Sequence, residues 1–238
     1  DSKNFDEETV KELQRKVFGL LENTFRFYEM YREEKEVGAT SNSPHVLDRW
    51  IISSLNKLIE DVTKHMDAYS VLDASRPIRE FIADLSQWYV RRSRDRFRGD
   101  DLKDKALALG TLRHVLLQLS KLMAPFTPFF GEYIYRAVKD TEGKESVHLE
   151  SWPKAGEIDA KLLSDMSEVR KIVSFALEAR SKANIKVRQP LQTLSIGDEG
   201  LVTNEGLLQL IKDEVNVKAV VFNPKLKGEV ELDLEITP

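Results

Sequence analysis

The sequence predicts a mainly α protein in which an antiparallel helical bundle is followed by a small α+β module. Apolar residues recur every three or four positions over roughly the first two-thirds of the 238-residue chain, which is typical of amphipathic helices. Near the C-terminus this spacing changes to two, which is typical of a half-buried strand. With 41% apolar residues, the chain can bury one large core or two smaller ones.

The predicted bundle contains four long helices and one shorter helix. Their apolar stripes cover residues 10–31, 47–69, 78–97, 109–123 and 129–138. Polar and small residues over 33–44 predict a loop between the first two helices. Either Ser70 or Ser75 is a suitable cap for the third helix, and Pro77 lies in its first turns or kinks it. We expect this bundle to form a domain over residues 1–152.

The remaining residues, 153–238, predict a second domain, which is the small α+β module. Its expected elements are helices at residues 159–182 and 207–215 and strands at residues 191–196, 217–222 and 230–236. In the last of these strands, apolar residues alternate with acidic ones. We therefore expect one face of that strand to be buried and the other to be acidic and solvated.

The composition argues against several classes of site and location. The chain has no cysteine, which excludes disulfides and thiolate zinc sites and fits a reducing cytoplasm. Its four histidines lack the spacing of metal ligands, so we expect no metal site. No apolar run reaches the ~18 residues of a membrane span, and the polar N-terminus is not a signal peptide. A net charge of −4 leaves RNA binding open, because that function needs only a locally basic surface.

The sequence also lacks the motifs of a self-contained active site. It has no Gly-rich phosphate loop and no nucleophile–base signature, so we expect no catalytic residue and no cofactor in this chain. It begins without a methionine, which favours a piece of a longer or processed chain.

The most distinctive local feature is the stretch 88–98, where five arginines and one aspartate give a local charge of +4. Arginine makes bidentate phosphate contacts, and the aromatic side chains of Trp88, Tyr89 and Phe97 could stack on the bases of an RNA loop. The alternative is a solvated charged helix end, since cations at a helix C-terminus are favoured by roughly 0.3–1 kcal/mol each. The composition of the stretch does not decide between the two.

Helical spacing divides these arginines between two faces. Arg92 and Arg96 continue the apolar stripe, so we expect both to brace the bundle, with Arg92 buried against Asp48 near the start of the second helix. The others occupy a different stripe and are expected to face solvent and RNA: Arg91, Arg94 and Arg98. A second basic segment, 185–191, would place Lys186 and Arg188 on one face if it is extended; the alternative is an ordinary edge strand that ends at Pro190.

Several strings of residues resemble a known family. Residues 47–51, which open the second helix, and residues 123–129 resemble landmarks of the anticodon-binding bundle of class I synthetases for branched aliphatic amino acids. Other strings look like the signature of isoleucyl-tRNA synthetases, at residues 84–97, 185–191 and 213–218. All of them occur in the order of that family. One departure is Arg98, which stands where the family usually has tryptophan.

The resemblance covers only the anticodon-binding and C-terminal region of that family. It implies that a parent enzyme, using ATP and Mg²⁺, attaches isoleucine to its tRNA, while this chain holds the anticodon stem and loop. The family's catalytic motifs and editing domain are absent, so we expect the chain alone to be an inactive cytoplasmic monomer. Its expected partners are the isoleucine-acceptor tRNA and the catalytic domain of the same polypeptide.

The resemblance and the local pattern together suggest two sets of functional residues. Those expected to bind RNA are Trp88, Arg91, Arg94, Arg98, Lys186 and Arg188. Those expected to support the fold are Asp48, Trp50, Arg92 and Arg96. Three alternatives remain open: a helical interaction module without an RNA role, which the arginine cluster disfavours; a valyl or leucyl enzyme, which the string 91–94 disfavours; and a stand-alone paralogue of the synthetase domain.

Overall fold

The structure is a computed structural model that describes residues 6–32, 43–197, 199–202, 204–226 and 228–234. Most of the loop predicted at residues 33–44 and the end of the strand predicted at 230–236 lie outside these ranges. The chain forms two compact units, of which the first ends at Ile158 and the second begins at Asp159. The described part has no helix with the length and apolarity that a bilayer crossing requires.

The first unit is a bundle of helices. Its α-helices are α1 (Glu7–Leu13), α2 (Gly19–Tyr31), α3 (Val46–Asp67), α4 (Val71–Asp84), α5 (Arg94–Arg98), α6 (Leu102–Met123) and α7 (Pro128–Val138). A π-helical segment, Gln14–Phe18, joins α1 to α2, and a second one, Leu85–Val90, extends α4. A short 3-10 helix, Val147–Leu149, packs against α7. The predicted helical bundle is thus confirmed.

Local hydrogen bonds explain where two of the long helices begin. At the start of α3, the Nδ1 atom of His45 accepts a hydrogen bond from the backbone N–H of Leu47 at 3.2 Å. At the start of α6, the carboxylate of Asp101 accepts from the N–H groups of Lys103 at 3.0 Å and Asp104 at 3.1 Å. Each bond satisfies a donor that the first helical turn leaves without an intrahelical partner.

The turn between α3 and α4 determines where α4 begins. Tyr69 has a φ of 58°, which ends the preceding helix, and α4 starts at Val71 after Ser70. The Ser70 hydroxyl donates to the carboxylate of Asp73 at 2.7 Å and caps no backbone N–H. Pro77 therefore lies inside α4 rather than in its first turn.

The packing of α7 on α6 depends on a glycine. A Cβ atom at Gly131 would lie 3.0 Å from the carbonyl oxygen of Ser120 and 3.4 Å from the backbone of Ala124. Glycine therefore lets the two helices approach closely at this point. The bundle core around them is apolar, with fully buried side chains that include Leu116, Leu119 and Ile134.

The second unit combines helices with a three-stranded sheet. In chain order its elements are α8 (Ala160–Lys182), β1 (Leu191–Ile196), α9 (Glu199–Val202), α10 (Glu205–Val215), β2 (Val217–Phe222) and β3 (Val230–Leu232). The strand order is β2-β1-β3; β1 runs parallel to β2 and antiparallel to β3. Helix α10 forms the crossover between the parallel strands and packs against α8. The predicted α+β module is confirmed, although β3 is shorter than expected.

Candidate nucleic-acid interface

A buried ion pair anchors the arginine-rich stretch to the bundle. Asp48 is fully buried on α3, and its two carboxylate oxygens accept from Nη1 and Nη2 of Arg96 at 2.8 and 2.9 Å. Arg96 also donates to Asp104 on α6, with Nη2 2.7 Å and Nε 2.9 Å from carboxylate oxygens. One guanidinium therefore bridges two carboxylates from two helices that are far apart in sequence.

Tyr89 completes this buried cluster from the π-helical segment. Its hydroxyl donates toward the carboxylate of Asp48 at 2.8 Å and lies 3.1 Å from the carbonyl oxygen of Ala108. The Ser43 hydroxyl donates to the other oxygen of Asp48 at 2.6 Å. Every oxygen of the buried carboxylate is therefore hydrogen-bonded, which offsets the cost of removing its charge from water.

The electrostatics of the cluster favour its ionised form. Burial alone would raise the pKa of Asp48, but the hydrogen bonds and positive charge of Arg96, assisted by Ser43 and Tyr89, bring that pKa below its ordinary value. Burial alone would lower the pKa of Arg96, and its bonds to Asp48 and Asp104 raise the pKa instead. Burial and the adjacent negative charge of Asp48 raise the pKa of Tyr89, so its hydroxyl stays protonated and donates.

The structure corrects one expected pairing, because the guanidinium that binds Asp48 belongs to Arg96 and not to Arg92. The apolar periodicity of this region predicts one uninterrupted α-helix, and the structure departs from it. The wider π-helical turns of Leu85–Val90 and a break at Ser93 shift the buried face. The fully buried positions advance by steps of four, at Leu85, Tyr89, Ser93 and Phe97.

The same shift corrects the expected aromatic surface. Tyr89 and Phe97 are fully buried and cannot stack on a base. Phe97 packs edge-on against Phe27, with ring centroids 5.1 Å apart. Trp88 is half-buried, and the guanidinium of Arg91 lies 5.9 Å from its ring centroid. Among the three aromatic residues of the stretch, only Trp88 therefore keeps part of its surface in contact with solvent.

The three arginines assigned to the outer face are exposed: Arg91, Arg94 and Arg98. The Nε atom of Arg91 donates to the carbonyl oxygen of Gln87 at 2.7 Å, and that of Arg98 donates to the Tyr31 hydroxyl at 2.8 Å. The side chain of Arg94 makes no hydrogen bond or ion pair within the described ranges. A phosphate could therefore bind Arg94 without displacing an internal partner.

Two further residues of α3 have structural positions in the first unit. Trp50 on α3 is 3% exposed and belongs to the apolar core. Asn56, on the same helix, donates through Nδ2 to the carbonyl oxygen of Glu157 at 2.8 Å. This bond holds the segment after the 3-10 helix against α3, as does a bond of 2.8 Å from the Trp152 ring nitrogen to the Thr63 hydroxyl.

In the second unit, the structure corrects the expected extended segment at residues 185–191. These residues form a turn, in which the N–H of Gln189 donates to the carbonyl oxygen of Lys186 at 3.0 Å, and β1 begins only at Leu191. The chain enters this turn through Asn184, whose φ is 55°. Lys186 and Arg188 are exposed, and neither side chain pairs with another described residue.

The sequence pattern did not reveal the structural role of three residues that shape these surfaces. Tyr89 and Asp104 belong to the buried cluster, and Arg180, which is 1% exposed, donates to backbone carbonyls of the turn at 186–189. Arg180 is one of two basic residues in the last turn of α8, a location that the helix dipole favours for any cation. Its sequence position therefore gave no signal of burial.

The described residues contain no group of three or more side chains that could hold a metal ion.

Comparisons with known proteins find similar sequences among tRNA ligases. A family model for the anticodon-binding domain of tRNA ligase matches residues 48–195, which is more than half of the chain. The isoleucine–tRNA ligase of Clostridium tetani is 39% identical over 241 residues, covering 97% of this chain. Those of Porphyromonas gingivalis and Deinococcus radiodurans are 42% and 37% identical and cover 93% and 98% of it.

The chain spans only 20–23% of the length of these three relatives. The family match begins at Asp48, the carboxylate at the centre of the buried cluster, and runs through the arginine-rich stretch and the basic turn into β1. The chain belongs to the family of anticodon-binding domains of tRNA ligases.

Proposed function

We propose that this chain is the tRNA-binding part of an isoleucine–tRNA ligase and that it holds the anticodon stem and loop of an isoleucine-acceptor tRNA. Family membership supports tRNA as the partner, and the names of the curated relatives support isoleucine as the amino acid. The observation that carries the proposal is the row of exposed arginines, Arg91, Arg94 and Arg98, on a helical segment whose other face is locked by the Asp48–Arg96 pair.

This arrangement suits recognition of RNA for a physical reason. The buried cluster fixes the backbone of residues 88–98, so the positions from which the exposed arginine side chains project are set before RNA binds. Prior ordering reduces the entropy that binding would otherwise cost. Arginine suits phosphate because its planar guanidinium donates two parallel hydrogen bonds. The exposed part of Trp88, next to Arg91, offers a flat surface for an unstacked base.

In the parent enzyme this chain would contribute positioning rather than bond chemistry. Holding the anticodon end of the tRNA orients the acceptor end toward a distant active site. Isoleucine, ATP and Mg²⁺ would bind to the rest of the ligase. We propose that the chain alone is a catalytically inactive, cytoplasmic monomer, and that Lys186 and Arg188 add RNA contacts from the second unit.

A binding experiment with the purified chain tests this proposal. An isoleucine-acceptor tRNA transcript is titrated by fluorescence anisotropy, and a second transcript differs from it only in the anticodon. We expect tighter binding of the first transcript and an affinity that falls with salt, because phosphate contacts release counterions. Absence of binding at low salt would overturn the proposal. Equal binding of the two transcripts would reduce it to contact with RNA of any anticodon.

A further inference from the structure

Arg180, near the end of α8, is a buried cation whose hydrogen bonds all go to the backbone. Its Nη1 atom donates to the carbonyl oxygens of Lys186 at 3.2 Å and Gln189 at 3.0 Å, and its Nη2 atom donates to that of Asn216 at 2.8 Å. No carboxylate within the described ranges pairs with it, and its Nε atom has no hydrogen-bond partner. One side chain thus links the end of α8, the turn at 186–189 and the start of β2.

Asn216 binds the same turn from a second side. Its φ of 55° places it in the left-handed region, and its side-chain Nδ2 donates to the carbonyl oxygen of Val187 at 2.7 Å. Three carbonyl oxygens of the turn, those of Lys186, Val187 and Gln189, are therefore bound by donors from within the second unit. The turn is held in shape by side chains rather than by a strand ladder.

The exposed groups of the turn are mainly hydrogen-bond donors. The exposed side chains of Lys186 and Arg188 carry two positive charges, and neither has a partner among the residues that the structure describes. The backbone N–H groups of Val187 and Arg188 also donate to no described residue. A carbonyl oxygen would repel an anion, but three of the four carbonyl oxygens of the turn already accept internal hydrogen bonds. The exposed donors therefore match a phosphate, which offers only acceptors.

We propose that the turn at residues 186–189 is a phosphate-contacting site and that Arg180 is the positioning residue that maintains its shape. This inference rests on the proposed function, since the phosphates would be those of the tRNA backbone. It adds a role for a buried residue that touches no RNA itself. Arg180 acts through the carbonyl oxygens of the turn, and Lys186 and Arg188 make the contact.

The choice of arginine supports a positioning role. Burying a guanidinium without a carboxylate is costly, and an apolar side chain would fill the same space without that cost. Only the planar fork of arginine offers donors in directions that reach three carbonyl oxygens separated by up to 30 residues of sequence. The buried cation therefore stands where its three hydrogen bonds can organise the exposed basic turn.

A mutant cycle on the full chain tests the inference. The probe is an isoleucine-acceptor tRNA transcript, and affinity is measured as a function of salt. Replacing Lys186 and Arg188 together by alanine should weaken binding about tenfold and reduce the log–log salt slope by about 1.4 to 1.8, as expected for two lost phosphate contacts. Arg180→Gln should reproduce part of both effects. Added to the double variant, Arg180→Gln should cause no further loss.

Two variants make this cycle decisive. Asn216→Gly keeps the left-handed backbone but removes the side-chain amide that binds Val187. It should weaken tRNA binding in a protein that still folds. This variant therefore tests the turn even if Arg180→Gln fails to fold. Lys182→Ala removes an exposed cation from the same helix and should leave binding unchanged. Thermal unfolding of each variant confirms that the protein compared is folded.

The contradicting outcomes separate this inference from the proposed function. If Arg180→Gln weakens binding equally with and without Lys186 and Arg188, its effect is structural and the positioning role is wrong. If the double variant keeps the affinity and salt slope of the parent chain while Arg94→Ala weakens binding, the turn does not contact RNA although the proposed function stands. If the parent chain binds no tRNA, both proposals fail.

Discussion

The guanidinium of Arg96 holds both carboxylate oxygens of Asp48, at 2.8 and 2.9 Å, although 48 residues of sequence separate the two side chains. The pair is shielded from water, since Asp48 is fully buried and the Arg96 side chain is 9% exposed. It joins the arginine-rich stretch to α3, and Asp104 joins the same guanidinium to α6. The pair therefore determines which face of the stretch remains available to a partner.

Replacing Arg96 by alanine should destabilise the first unit strongly. The change leaves the carboxylate of Asp48 buried without its positive partner, which typically costs about 3–5 kcal/mol. The free energy of unfolding is measured by urea denaturation at pH 7. Arg26→Ala is the matched control, because Arg26 forms only an exposed pair with Glu22, which water and salt screen, so its loss should change stability little. Equal stability of the two variants would contradict the anchoring role of Arg96.

Replacing Tyr89 by phenylalanine should separate anchoring from RNA contact. The ring remains in place, but the buried hydrogen bond to the carboxylate of Asp48 is lost, which should cost about 1.5–3 kcal/mol of stability. Because Tyr89 has no exposed surface, tRNA affinity measured at a temperature where the variant is folded should not change. A loss of affinity without a loss of stability would show that Tyr89 reaches the RNA.

Replacing Arg94 by alanine should lower tRNA affinity and leave stability nearly unchanged, which is the opposite of the effect expected for Tyr89. Arg94 is exposed and pairs with no described residue, so stability should stay within about 0.5 kcal/mol of the parent chain. The log–log salt slope of tRNA binding should fall by about 0.7 to 0.9, which corresponds to one phosphate contact. Arg79→Ala, an exposed arginine on α4 outside the basic stretch, is the control. If both variants bind tRNA alike, the basic stretch is not the interface.

The stability of the first unit should depend on pH through Glu150. Hydrogen bonds from the Tyr135 hydroxyl and from Lys121 lower the pKa of Glu150 from its ordinary value of 4.5 to about 2. A carboxylate with a lowered pKa stabilises the fold fully above its unfolded pKa, and this contribution is lost as the pH falls. The window here runs from about pH 4.5 to about pH 2.

Glu150→Gln tests this dependence, because the amide keeps the shape of the side chain but removes the charge. The parent chain should be more stable than the variant above pH 4.5, and the difference should shrink as the pH approaches 2. Urea denaturation over this range measures it. Glu145→Gln is the matched control, because Glu145 is exposed in the same segment and its replacement should not produce this pH dependence. A stability difference between parent and variant that grows toward low pH would contradict the lowered pKa of Glu150.

Much of the fold could be predicted because helix periodicity is a local property. The apolar stripes of α3, α6 and α8 repeat at the spacing of an α-helix, and the structure contains these helices. The exposed positions of Arg91 and Arg94 follow from the same spacing. The start of α4 was left open between two serines, because Ser70 and Ser75 have the same capping chemistry and only the left-handed backbone at Tyr69 distinguishes them.

The amino-acid pattern determined that the chain would have a helical bundle, an α+β module and a cluster of five arginines, since each depends on residues within one segment. Tertiary structure alone decided which arginine is buried on Asp48 and which residue shapes the basic turn. The first choice depends on a π-helical segment and on Asp104 from α6. The second depends on Arg180 meeting Asn216, 36 residues away. Such pairings form only when distant segments meet, because hydrogen bonds act over about 3 Å and sequence spacing does not encode that distance.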